Sequence, residues 1–297
     1  MFRNRVFAVV LTATSLMSWG AVAEGKKPKE IWSVTEGLDT PESAYYDPLT
    51  RSIFVSNIGG DPTKKDGQGW ISKIDENGKV LAAQWVAGLD APKGLRSYKD
   101  TLWVADIDRL HAISVSKASI IQTFTLPGAK FLNDVAIDTE GNVYVSDMFD
   151  NKIYRTSAQN GRYQQPEVYL QGEDELINPN GLLVHKGELI IGRWGRPIKP
   201  DFSTDSPGSL AFAKLGSKVS RQLPPLGNID GIELLNKNEL IVSDFVAGKI
   251  YRVQLKSGKA ELILTEKSGT ADIGLIPARK ILLVPYFSDK TLKAFQL

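Results

Sequence analysis

Apolar residues in this chain gather into short runs that recur every 41 to 51 residues, most of them closing on a polar residue. The clearest set is IFVSN (53–57), LWVAD (102–106), VYVSD (143–147), LIIGR (189–193), LIVSD (240–244) and ILLVP (281–285). All are rich in β-branched and aromatic residues, the composition of strands packed between neighbouring sheets. A second set follows close behind: WISKID (70–75), RLHAIS (109–114), KIYRTS (152–157), SLAFAK (209–214), KIYRVQ (249–254) and TLKAFQ (291–296). Two of the units are near copies, VSDMFDNKIYR and VSDFVAGKIYR, with seven matches in eleven at a separation of 97 residues. Weaker strands are predicted at 82–88, 119–126, 166–172, 220–226 and 259–265, and no helix of useful length after residue 24.

Six strand units of this period predict an all-β, six-bladed β-propeller. The last unit lacks a fourth strand because the sequence given stops at Leu297, while IWSVTEG (31–37) precedes the first unit and has a fourth strand's character. The N-terminal strand is therefore expected to close the last blade, which removes two sheet edges together. One domain, 24–297, accommodates the whole pattern.

Ahead of each buried strand, one polar residue occupies the same point of the unit: Glu42, Lys93, Asn133, Asn180, Asp230 and Asp272, at spacings of 51, 40, 47, 50 and 42. Equivalent points of successive blades form a ring around the central channel. Oxygen ligands of this kind suit Ca2+, or another hard divalent cation, with Glu42, Asn133, Asn180 and Asp230 as the ligand set. The other reading is a polar channel lining, or Asn and Asp serving as turn residues. The sequence holds two histidines, His111 and His185, and no cysteine, so zinc, copper, disulfide and thiol chemistry are poor fits. Asp106, Asp147 and Asp244 are expected to bind backbone in their turns.

Residues 1–23 read as a signal peptide: Arg3 and Arg5, an apolar run from Val6 to Gly20, and Ala21-Val22-Ala23 before the cut. Its removal lowers Lys+Arg from 36 to 34 against 34 Asp+Glu, because two arginines leave and no acidic residue does. A neutral mature chain gives no electrostatic case for nucleic acid or an anionic membrane. A periplasmic or secreted monomer without a membrane anchor is the expectation.

The four motifs PESAYYD, LNDVAID, NGLLV and IDGIELL, in this blade order, resemble the regucalcin–gluconolactonase superfamily of six-bladed propellers, whose cousins are paraoxonases and diisopropylfluorophosphatase. The resemblance spans the mature chain. It implies Glu42, Asn180 and Asp230 as core calcium ligands, with Asn133 direct or through water. It also implies a nucleophile or general-base role for Asp230. Two positions depart from the pattern. Lys93 stands where paraoxonase-like relatives carry a catalytic histidine, and Asp272 adds an acid at the sixth position. Lys93 is thus either a catalytic donor or a charge partner, with Glu42, Asp230 and Asp272 balancing it and the Ca2+.

The residues entering the loops above the ring are Ile58, Ile107, Met148, Trp194, Phe245 and Tyr286, an apolar wall of the kind that surrounds small molecules. The long loops 58–69 and 194–208 are candidate lids. The expected substrate contacts are Asp272, Arg193, Trp194, Met148, Phe245 and Tyr286, with Arg196 beside them. With these features, the resemblance implies a secreted, calcium-dependent hydrolase of lactones or related esters. The alternative is a non-catalytic binding or interaction propeller with a structural calcium.

Overall fold

A computed structural model describes residues 27–297; the expected signal segment 1–23 lies outside the described residues. The chain is a six-bladed β-propeller of six four-stranded antiparallel sheets. The innermost strands are Pro41–Asp47, Pro92–Tyr98, Leu132–Ile137, Pro179–His185, Ile229–Asn236 and Gly274–Ile276. Each of them touches the corresponding strand of the blades on either side, and the circuit closes from the sixth blade to the first.

The second strands are buried along almost their whole length, as Ser52–Asn57, Val143–Asp147 and Ile281–Tyr286 show. They lie between flanking blades, so both faces need apolar side chains. Outer strands such as Ser119–Thr125 are mostly exposed. The core is accordingly divided into clusters between blades. Ile53, Val55, Leu283 and Leu292 join the first and sixth blades, and Ile190, Phe212, Ile232 and Val242 join the fourth and fifth.

The closing strand is where the pattern places it. Lys29–Val34 pairs antiparallel with Thr291–Gln296, from Lys29 opposite Gln296 to Val34 opposite Leu292. One outer strand is shorter than expected: the fourth blade's runs Val219–Gln222 and stops before Pro224 and Pro225, which cannot donate to a ladder. The third blade carries an extra hairpin, Ala158–Gln159 with Arg162–Tyr163. Among the described residues no helix is long and apolar enough to cross a membrane.

Candidate functional site: the channel ring

Five innermost strands break register at the ring residue. The skips fall between Pro41 and Ser43, Pro92 and Leu95, Leu132 and Val135, Pro179 and Leu182, and Ile229 and Ile232. A bulge frees one residue from the ladder and turns its side chain into the channel. The serine that ends the V-S-D motif's apolar run secures it. Ser56, Ser146 and Ser243 accept the N–H of Ser43, Asp134 and Gly231 at 2.9, 2.9 and 2.8 Å. Ser146 and Ser243 also donate to the next blade, to Asn180 O at 2.7 Å and Ala271 O at 3.0 Å. The residue after the bulge presses on that blade. A Cβ on Gly181 would sit 1.9 Å from Asp230 O, and one on Gly231 would sit 2.3 Å from Ile273 N.

All six ring residues are buried, none more than 5% exposed. Glu42 Oε2, Asn180 Oδ1, Asp230 Oδ1 and Asp272 Oδ1 are buried and find no hydrogen-bond partner among the described residues. Buried polar atoms are almost always satisfied, so four acceptors left over around one channel mouth need a partner from outside the chain. Asn133 donates to Met148 Sδ at 3.9 Å. Among the described residues no three His, Asp or Glu side chains cluster as a metal site; the candidate set has two carboxylates and two amides.

Burial pushes the Glu42 carboxyl well above the usual range; neighbouring Asp230 adds to this and Lys93 opposes it. Burial does the same to Asp230, reinforced by Asp272 and Asp134 and opposed by the neighbouring Asn180 amide. Asp272 is raised by burial against the pull of Arg96 and Ser43, whose hydroxyl donates to its carboxylate. Lys93 is held at the rim. Its ammonium donates to Ala91 O at 2.9 Å and Pro62 O at 3.3 Å and lies 4.3 Å from the centre of the Phe131 ring. Burial brings it down to about 8, with Glu42 and Asp106 acting the other way.

A second charged layer lies one step down the channel. Arg96 and Glu233 each follow their ring residue by three positions, on blades two and five, which face each other in a ring of six. They meet as an ion pair, Arg96 Nη2 to Glu233 Oε1 at 3.0 Å, with the guanidinium 5.2 Å from the Tyr45 ring centre. Burial raises Glu233 to about 7 despite Arg96. Five carboxyl groups, Glu42, Asp134, Asp230, Asp272 and Glu233, therefore face two fixed cations, Lys93 and Arg96. The balance expected, of Glu42, Asp230 and Asp272 against Ca2+ and Lys93, left out Asp134 and the Arg96–Glu233 pair. Repeat alignment at the third position past the ring would have found this pair.

Above the ring, Met148 and Trp194 pack with Phe131 in a buried cluster that Phe149, Phe202 and Phe245 border. Ile58 and Ile107 join Ala91 and Phe287 in another. Two expected substrate contacts are corrected. Tyr286 ends its strand opposite Thr291 and packs in the core between blades five and six, with Lys293 Nζ 5.2 Å from its ring centre; Phe287, one residue on, reaches the rim instead. Arg193 occupies the strand-end position at which Asp106, Asp147 and Asp244 accept backbone N–H groups. Its guanidinium is spent on the fourth blade, donating to Gln222 Oε1 and Glu175 O. Arg196 pairs with Asp174 at 2.8 Å. The loop 194–208 forms a hairpin, Gly195–Ile198 with Thr204–Pro207, pinned by Trp194 Nε1 to Phe202 O at 2.8 Å.

A cleft of about 680 Å³ opens on the opposite face, between blades three and four, bordered by Asp138, Arg155 and His185. Its principal acid is already satisfied: Asp138 accepts from Glu140 N, Asn142 N, Asn142 Nδ2 and Tyr144 OH. His111 is structural, bonded to Thr123 and Asp106. The ring, with its unanswered oxygens, is the better candidate.

No protein-family profile matches the sequence, and no curated protein matches it. Among solved structures, the chain is similar to a catalytically inactive virginiamycin B lyase from Staphylococcus aureus, crystallised with quinupristin. The TM-score is 0.58 at 14% identity, over 91% of this chain and 99% of that one. The likeness is one of fold.

Proposed function

We propose that the protein is an extracytoplasmic, calcium-dependent hydrolase of lactones or related esters. The observation that carries this reading is the set of partnerless buried oxygens on Glu42, Asn180 and Asp230, three of the four residues expected as ligands. With Asn133 they offer two carboxylates and two amides, a donor set that suits a hard cation. Such a cation supplies Lewis-acid polarisation of the acyl oxygen. In the hydrolysis, water adds across the acyl C–O bond, giving a carboxylic acid and an alcohol. Asp230, freed by its bulge and held beside Asn180, is the group to take the proton from water or to attack directly. Lys93 stands at the rim, where an ammonium can donate to the developing alkoxide.

The second reading is a monomeric binding protein with a structural calcium. It is favoured by one observation: Lys93 spends two of its three donors on Ala91 O and Pro62 O. Asp230→Asn separates the two. The amide keeps the size and one oxygen ligand but loses the charge that base or nucleophile work requires. The expected result, for a protein loaded with calcium, is retained metal binding with activity lower by orders of magnitude. Calcium-loaded wild type that hydrolyses no lactone, aryl ester or phosphotriester above the Asp230→Asn background sinks the hydrolase assignment.

A further inference from the structure

The formal net charge is only +2, yet charge is divided between the two faces of the propeller. The turns joining first to second and third to fourth strands, such as 48–51 and 76–79 in the first blade, lie on the face away from the channel ring. They hold twelve Lys or Arg against four Asp or Glu, and all twelve basic residues are exposed. The loops of the ring face, counted between strands in the same way, hold seven against fifteen. Pairing sharpens the division. Each of the seven ring-face cations is in an ion pair, as Lys64 is with Asp61 at 3.3 Å, Lys130 with Asp150 at 2.6 Å and Lys290 with Asp39 at 2.8 Å. On the opposite face only Arg51 and Arg279 are paired among the described residues, both with Glu76. Asp100 and Asp138 are taken up by their own turns, accepting from Ser114 and Ser116, and from Asn142 and Tyr144.

The basic face also carries the exposed large apolar side chains. Leu49, 70% exposed, stands in the turn 48–51. The other six, Leu81, Ile121 and Leu262 among them, are each the second or third residue of an outermost strand counted from that face. At about 3.3 Å per residue they lie within roughly 10 Å of the turns. An anionic lipid surface matches both features. Its phosphates answer the ammonium and guanidinium groups, and its outer layer, about 5–10 Å deep, accepts apolar side chains at this height. A soluble polyanion answers the charges but buries neither Leu49 nor Ile121. The acidic excess of the ring face is repelled by the same lipids, so attraction and repulsion select one orientation.

We infer that the protein docks peripherally on an anionic lipid bilayer through the face opposite the ring, with the channel mouth turned to solution. The inference stands apart from the hydrolase reading. The test is co-sedimentation of the chain from Glu24, which contains every described residue, with vesicles of phosphatidylcholine alone or mixed with phosphatidylglycerol. Binding is expected only where phosphatidylglycerol is present, and it should weaken as salt rises through about 0.15 M. Each basic residue at the surface contributes roughly fivefold, so Lys99→Gln, Lys237→Gln and Lys256→Gln combined should lower affinity about a hundredfold. Leu49→Ser, which leaves the charge unchanged, should lower it about tenfold. The ring-face set Lys64→Gln, Lys267→Gln and Lys290→Gln should stay within about twofold of wild type. No binding to phosphatidylglycerol vesicles at about 0.15 M salt overturns the inference. Equal losses from the two lysine sets overturn the orientation. If Leu49→Ser binds like wild type and heparin displaces the protein from vesicles, the partner is a soluble polyanion and the lipid assignment falls.

Discussion

Glu42 and Asp230 each bury a carboxylate oxygen that nothing in the described protein answers, and burial, reinforced by neighbouring carboxylates, makes both titrate upward. A divalent cation at the ring reverses that situation. Calcium is therefore expected to raise the melting temperature, by the equivalent of about 2.7 kcal/mol at a hundredfold excess over Kd. Asp230→Ala should abolish the response and Glu42→Ala should greatly weaken it. Identical melts with calcium and with chelator, together with no ion by elemental analysis, would remove the metal. Arg96 is the other residue on which the channel depends. Replacing it with Met strands buried Glu233 beside Asp272 without its partner, so a loss of about 3–5 kcal/mol is expected by denaturant unfolding. Glu233 has a sign of its own. Its carboxyl titrates at about 7 when folded against 4.5 ordinarily, so between those values the native state holds a proton that the unfolded state does not. Its contribution to stability is thus present below pH 4.5 and is lost as pH rises through 7. Glu233→Gln should flatten the stability profile across that window, and an unchanged slope in urea titrations at pH 5 and 7.5 would count against it.

At the scale of the element, the buried second strands were readable because their whole length is apolar, and the V-S-D ending has two physical jobs. The serine clamps the bulge and the aspartate caps the loop before the innermost strand, as Ser146 and Asp147 do in the third blade. The ring was readable for the same reason: a bulge at one point of a repeat puts one residue per blade into the channel. What the pattern hid was phase at strand ends. Counting one residue early turned Tyr286 toward the pocket, and Arg193 was expected there beside Trp194, whereas each ends its strand and packs elsewhere. Phe287 and Phe202 sit in loops, where no period marks them. The Arg96–Glu233 pair becomes visible only when opposite blades are laid side by side. The bulges also make a prediction. Gly181→Ala drives a Cβ into Asp230 O, 1.9 Å away, and the two innermost strands must part. A loss of roughly 1–3 kcal/mol is expected, with the calcium-induced rise in melting temperature lost before the fold. Wild-type stability and an intact calcium response would show that the strands are not held as tightly as this contact requires.

On the scale of the whole molecule, a ring of sheets is stable only if its ends meet, and here the ends are far apart in sequence. The outermost strand of the sixth blade comes from Lys29–Val34, with Trp32 against the turn at Gly78 and Val34 in the core between the first and sixth blades. The proposed export fits this arrangement, because a cut after Ala23 leaves the closing strand intact; N-terminal sequencing should find Glu24 first. Removing the strand itself is a different matter. Without residues 27–36 the ladder face of Thr291–Gln296 becomes an open edge, and open edges recruit other strands. The shortened protein should therefore melt lower and associate with rising concentration in size-exclusion chromatography. A synthetic peptide of residues 27–37 should dock on that edge by strand addition, restoring both the parent's elution and most of its melting temperature. The peptide matters to the argument, since destabilisation alone would follow from any lost core contact, such as Val34. Rescue in trans follows only from an edge that accepts one particular strand. A shortened protein that stays monomeric and ignores the peptide would mean that the ring is held shut by its blade interfaces and not by its closing strand.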